Sequence, residues 1–119
     1  MSFKFLPSEI HGYLDYLLAV FCVSYSVFSG LYFNSKIAFY VSITCSCFFV
    51  IQASITKFKP SLVKLVPMNI HLFNDVIAAV IFFITPFIVG LQGLHFAYFI
   101  LVSIGILAVG CTTNQYVEA

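Results

Sequence analysis

The stretch Lys64-Leu65-Val66-Pro67-Met68-Asn69-Ile70-His71-Leu72-Phe73-Asn74-Asp75 decides the reading of this chain, because its pattern occurs twice. Sixty residues earlier stands Lys4-Phe5-Leu6-Pro7-Ser8-Glu9-Ile10-His11-Gly12-Tyr13-Leu14-Asp15. Both read K-x-x-P-x-x-I-H-x-x-x-D. The same gap-free offset aligns Ala19 with Ala79, Val20 with Val80, Gly30 with Gly90, Leu31 with Leu91 and Phe39 with Phe99. An apolar composition can match leucines and phenylalanines by chance. It does not readily match a lysine, a proline, a histidine and an aspartate at one offset, so the chain reads as an internal repeat.

Outward from each motif runs a long apolar segment. Of the 119 residues, 62% are apolar or aromatic and 8% are charged. An average soluble domain has roughly 45–50% apolar and about 25% charged residues. That composition excludes a disordered chain and points away from a soluble globular one. A spanning helix needs about 20 mostly apolar residues to cross a hydrocarbon core about 30 Å thick. Four runs qualify: roughly Ile10 to Leu31, Ile37 to Ile55, Ile70 to Leu91 and Leu94 to Cys111. Transmembrane β-strands would be short and alternating, which these runs are not. The turns at 32–36 and at Gln92-Gly93 are short enough to force antiparallel neighbours.

The expected architecture is therefore an all-α, four-transmembrane-helix bundle in a single domain, residues 1–119. Repeat 1 covers about 4–56 and repeat 2 about 64–116, with a connection over about 57–69. Each repeat holds two spans, so both copies enter the membrane in the same direction, related by a pseudo-twofold axis along its normal. The N-terminal run is too long for a signal-peptide core, and Lys4, Pro7 and Glu9 precede it, so the first span is expected to be retained. Lys4, Lys57, Lys59 and Lys64 fall on one side and Lys36 on the other, which places both termini in the cytoplasm; in a bacterium this would be the inner membrane. The connection K-F-K-P-S-L-V-K-L-V-P-M-N reads as an interfacial segment or as a protein-docking surface. The lipid bilayer is the first partner. A homo-oligomer or a larger membrane complex is a second, and a net charge of +1 gives no footing for nucleic acid.

The four cysteines, Cys22, Cys45, Cys47 and Cys111, lie in apolar runs without a C-x-x-C pair. They read as free, buried, small hydrophobes rather than as a disulfide or zinc framework. Pro7 and Pro67 suit helix starts, with Ser8 or Glu9 and Asn69 as expected caps. Pro86 is expected to bend the third span.

His and Asp four residues apart share one helix face. That face reads His11, Asp15, Ala19, Cys22, Ser26, Gly30 in the first span and His71, Asp75, Ala79, Phe82, Pro86, Gly90 in the third. Membrane helices pack through small residues, so this face points into the bundle. Ala38, Ser42 and Ser46 form a matching stripe on the second span, and Gly105, Ala108 and Thr112 on the fourth. Gln52 and Thr112 take equivalent repeat positions and, with Asn74, extend a polar cluster around the quartet. Ionisable residues inside a span are functional candidates by default.

Several readings of His11, Asp15, His71 and Asp75 stay open. The structural reading is a His–Asp clasp between the repeats. The metal reading uses all four as ligands for a divalent transition metal such as zinc, iron or manganese, or uses the histidines as ligands oriented by the aspartates. A cofactor reading ligates haem between His11 and His71, giving a redox protein or enzyme. The last is proton handling in a small proton-coupled transporter subunit. No nucleophilic triad or phosphate loop appears, so a binding or accessory protein stands ahead of an enzyme. His95, opposite Ser35 in the repeat, reads as interfacial, as do Tyr13, Tyr16, Tyr32 and Tyr98.

The segment from Leu62 to His71, followed by Asp75, resembles the V-K-x-I-P-M-x-x-H-x-x-x-D element of the SPW-repeat small membrane proteins. His11, Gly12, Leu14, Asp15 and Tyr16 resemble that family's first copy, H-G-x-L-D-Y. Where the family has Ser-Pro-Trp, this chain has Tyr25-Ser26-Val27 and Thr85-Pro86-Phe87, and it has no tryptophan. The resemblance implies a membrane location and a two-span repeat architecture, without an assigned activity.

Overall fold

The computed structural model describes residues 6–56 and 65–113. Lys4, Lys57, Lys59 and Lys64, and most of the connection over 57–69, lie outside the described residues. Five helices follow in order: α1 (Ser8–Phe28), α2 (Leu31–Asn34), α3 (Lys36–Ile55), α4 (Met68–Val89) and α5 (Gly93–Thr112). Four of them are long and apolar enough to cross a membrane, each with 28–33% of its span buried inside the molecule. The outer surface carries Leu17, Phe28, Ile37, Phe73, Ile88 and Leu101 among many exposed apolar side chains. A soluble monomer rarely exposes such a continuous apolar surface; lipid tails solvate it at no cost. The molecule is a helical bundle of the kind an integral membrane protein forms.

The turn expected at 32–36 contains a single helical turn, α2. Gly30 turns the chain between the α1 C-cap Ser29 and α2, and Gly90 caps α4, at φ 80° and 72°, the left-handed geometry that glycine adopts without a Cβ clash. After Gly90 the backbone N–H of Leu91 returns to Pro86 O at 2.9 Å. α4 stays helical through Pro86 and stops one turn later.

Two expectations about the helix starts change. α1 and α4 begin after Pro7 and Pro67 as N-caps, and neither has a side-chain capping bond. The expected caps lie inside the helices: Ser8 and Met68 are the first helical residues, so Glu9 and Asn69 are the second. Instead, the last carbonyls of the other helices take up the incoming strands. Leu6 N–H bonds Thr112 O at 2.9 Å, and Leu65 and Val66 N–H both bond Ile55 O at 2.8 Å. These short bridges satisfy C-terminal carbonyls that a helix leaves orphaned. They also bring the starts of α1 and α4 and the ends of α3 and α5 to one end of the bundle.

α1 packs on α3, α4 packs on α5, and α3 leans on α4. On α1 the buried line is His11, Asp15, Ala19, Cys22 and Ser26; on α4 it includes His71, Asp75, Ala79, Phe82 and Pro86. α3 buries Ala38, Ser42 and Ser46 and continues through Phe49 and Gln52. The stripe expected on α5 is overturned. Gly105 and Ala108 are exposed, and the buried face is Tyr98, Phe99, Val102, Ser103 and Ile106. The cause is register. α1 and α4 begin 60 residues apart, at Ser8 and Met68, whereas α3 and α5 begin 57 apart, at Lys36 and Gly93. Three residues fewer in the second turn rotate α5 by most of a helical turn relative to the gap-free offset. Position 52 therefore corresponds to Val109 rather than Thr112, and Ser35 to Gln92 rather than His95.

All four cysteines are free, and Cys22 is buried, but Cys47 and Cys111 lie on the exposed surface.

Candidate functional site

The His–Asp spacing sets the site. Four residues advance a helix by about 6 Å and keep both side chains on one face. With α1 and α4 facing each other across the bundle axis, the two pairs close into a ring that alternates nitrogen and oxygen. His11 Nε2 lies 2.9 Å from Asp75 Oδ2, and His71 Nε2 lies 2.7 Å from Asp15 Oδ2. Within each helix the His–Asp separation is longer, 3.4 Å in both cases. The strong contacts are therefore the crosswise ones. All four residues are buried, His71 completely. One ligand atom from each lies within 4.8 Å of every other. The ring centroids of the histidines are 5.0 Å apart and meet edge to face.

The outer nitrogens are held by two threonines that the sequence reading did not single out. His71 Nδ1 is 2.6 Å from Thr56 Oγ1, and His11 Nδ1 is 2.8 Å from Thr113 Oγ1. Each threonine hydroxyl donates its proton to the carbonyl four residues back, Gln52 O and Val109 O, at 2.6 Å. With that proton committed, each Oγ1 accepts from the imidazole, so Nδ1 carries the hydrogen on both rings. The network thereby assigns the tautomer, and both Nε2 atoms are turned toward the carboxylates. Sequence reasoning named Thr112, one residue away. Thr112 bonds its own helix at Ala108 O. The three-residue register change moves the role to Thr113, and pairing Thr56 with Thr113 at offset 57 is the signal that would have found them.

Gln52 and Asn74 join the site on one side only. Gln52 Nε2 donates to Asp75 Oδ1 at 3.1 Å, and Asn74 Nδ2 donates to Gln52 Oε1 at 2.6 Å. On the Asp15 side the corresponding positions are Val109 and Leu14. Haem ligation does not fit this arrangement. Axial imidazoles need a clear macrocycle plane between them, and here the carboxylates of Asp15 and Asp75 occupy that space.

At the far end of the bundle a second polar group forms. Tyr25 Oη lies 2.7 Å from His95 Nδ1, and Asn34 Nδ2 lies 3.1 Å from His95 Nε2. Tyr98 was expected at the interface. It is buried, stacks on Tyr25 at 3.9 Å, and shares a 2.7 Å hydrogen bond with Ser42, which also accepts from Ser26. Its position on α5 follows the register change, which turns Tyr98 inward.

No family model, curated protein or solved structure matches this chain.

Proposed function

We propose that the chain is a small membrane binding protein that holds one divalent transition-metal ion through His11, Asp15, His71 and Asp75, exchanging it for two protons. The supporting observation is the threonine-fixed tautomer. With Nδ1–H given to Thr56 and Thr113, each Nε2 lone pair must meet something at the centre of the ring. Facing carboxylates, it meets either a proton or a cation.

The charge balance is the same in both states. Two imidazolium ions and two carboxylates sum to zero. Two neutral imidazoles, two carboxylates and one divalent ion also sum to zero. Net charge is costly within a bilayer, so exchange between neutral states avoids that cost. Metal ligands must be deprotonated to bind, so uptake releases protons. The outer N–H bond to each threonine is the kind of support that orients ligating histidines.

Two imidazoles and two carboxylates suit zinc, iron or manganese. Zinc bonds of about 2.0–2.1 Å in a tetrahedron set ligand edges of about 3.3 Å. The two same-helix edges are already 3.4 Å, and the crosswise edges of 2.7 and 2.9 Å open by about half an ångström. Four protein ligands close the shell, which is the pattern of holding sites rather than catalytic ones. We read the two motif copies as a duplication and the lysine-rich side as cytoplasmic, in keeping with the resemblance to the SPW-repeat family.

The test is metal content with proton counting. Detergent-purified protein stripped with chelator is titrated with zinc, ferrous iron and manganese in weak buffer. One ion per chain with two protons released, both lost in His71→Ala, is the expected outcome. If no metal binds stoichiometrically, the quartet is a proton-paired clasp between helices.

A further inference from the structure

The two sides of the quartet differ. Asp75 Oδ1 accepts from Gln52, while Asp15 uses only Oδ2, toward His71 and His11. Among the described residues nothing hydrogen-bonds Asp15 Oδ1, although the side chain is only 8% exposed. Beside it lies a cavity of about 300 Å³ between α1 and α5. Leu14, Leu17, Phe21, Gly105 and Val109 supply its walls, and Asp15 is part of its polar floor. At the equivalent positions beside Asp75 stand Asn74, Phe48 and Gln52, where this side has the apolar or small Leu14, Gly105 and Val109. The mouth opens onto the lipid-facing surface, where Leu17 is 65% and Phe21 53% exposed.

We propose that this cavity binds a membrane-dissolved phenol or quinol, whose hydroxyl donates to Asp15 Oδ1 and whose tail runs out into lipid. A carboxylate is acceptor-only, so the occupant must donate. A free cation is expensive at this depth, which leaves a neutral donor, and the acidic O–H of a phenol is the neutral donor we choose for a carboxylate acceptor. A hydrogen bond onto a carboxylate is about twice as strong as one between neutral groups. The volume is about twice the 150 Å³ cavity that accepts benzene, room for a substituted ring. Phe21 offers that ring an aromatic edge or face. The unpartnered Asp15 Oδ1 and the cavity beside it are present whether protons or metal occupy the ring of Nε2 and Oδ2 atoms.

The experiment compares 4-decyl-2-fluorophenol with its methyl ether, which keeps the shape and lacks the donor. Binding to the full chain in zwitterionic lipid nanodiscs is read by fluorine NMR, at matched mole fractions in the lipid. Saturable phenol binding at least tenfold tighter than the ether is expected. Gly105→Phe places in the cavity the side chain that α3 carries at Phe48, and it should abolish phenol binding. A Cβ at Gly105 meets no atom within 4 Å, so the new side chain starts in open space, and retained folding is checked by the SDS unfolding midpoint of the variant. Asp15→Asn should reduce the phenol preference to about twofold or less. Equal binding of phenol and ether, or undiminished phenol binding by Gly105→Phe, overturns the proposal. Metal uptake is scored separately on the same wild-type sample, so failure of the metal reading leaves the phenol-to-ether comparison intact.

Discussion

The crosswise pairing of the quartet can be measured by a double-mutant cycle between His11 and Asp75. The perturbations are His11→Gln, Asp75→Asn and the two together, in protein stripped of metal. The His11–Asp75 contact is 2.9 Å, within N–H···O range, whereas His11–Asp15 on the same helix is 3.4 Å, beyond it. Removing one member of a buried charge pair costs about 3–5 kcal/mol, because its partner is left uncompensated. Removing both costs less than the sum. Interhelical hydrogen bonds in membrane proteins average about 0.6 kcal/mol by such cycles, with a maximum near 1.7. A charged crosswise pair should exceed that range, with a coupling of about 2 kcal/mol or more, and the His11–Asp15 cycle should stay near or below 1 kcal/mol. Equilibrium unfolding by increasing SDS in mixed micelles, at constant pH and with chelator present, gives all the required free energies. If the same-helix cycle gave a coupling equal to or larger than the crosswise one, the ring would be wrongly connected.

Further outcomes follow from individual contacts. Thr56→Val and Thr113→Val each remove the group that accepts from Nδ1, and each should weaken zinc binding about 10–100-fold in chelator competition. While the ring is doubly protonated, the logarithm of the apparent zinc affinity should rise by about two per pH unit, since two protons leave per ion; a slope of zero would contradict the exchange. Gln52→Leu leaves Asp75 Oδ1 and Asn74 without their bonds and should cost about 1–3 kcal/mol in the same unfolding assay. Tyr98→Phe removes the bond to Ser42 and should cost about 0.6 kcal/mol, the stack on Tyr25 remaining.

How much of this was legible in the chain depends on the kind of signal. The four spans follow from run length, and the sequence-based ends fall within about three residues of those in the structure. The inward face of α1 was legible because His11, Asp15, Ala19, Cys22 and Ser26 are all small or polar among bulky neighbours. α5 was not legible in the same way. Its buried face holds Tyr98, Phe99, Val102 and Ile106, side chains as bulky as those it turns to lipid, so small-residue spacing chose Gly105 and Ala108 instead. The offset compounded that error. A match at 60 residues is enforced by the His–Asp motif in the first helix of each pair, but the second helices are tied to it only through turns of unequal length. Thr56 and Thr113 were therefore hidden by the three-residue difference between the two helix offsets, and the crosswise choice of partner was hidden because i,i+4 spacing permits both.

That choice of partner bears on why the chain carries four ionisable groups inside a membrane at all. A His–Asp pair four residues apart could satisfy itself within one helix, and each helix would then have no polar reason to seek the other. In lipid there is no hydrophobic drive to bring helices together, so packing and polar contacts must do it. Here each imidazole finds its short contact on the opposite helix, and each outer nitrogen is held by the end of a third or fourth helix. Satisfying any one histidine therefore requires three helices in place at once: α1, α4 and α5 for His11, and α4, α1 and α3 for His71. The pairing also leaves Nε2 and Oδ2 atoms from both halves around one point, the arrangement that two protons or one divalent ion can neutralise. Assembly and binding thus draw on the same geometry, and a variant that loosens the ring should weaken both together, whereas filling the Asp15 cavity at Gly105 should weaken neither.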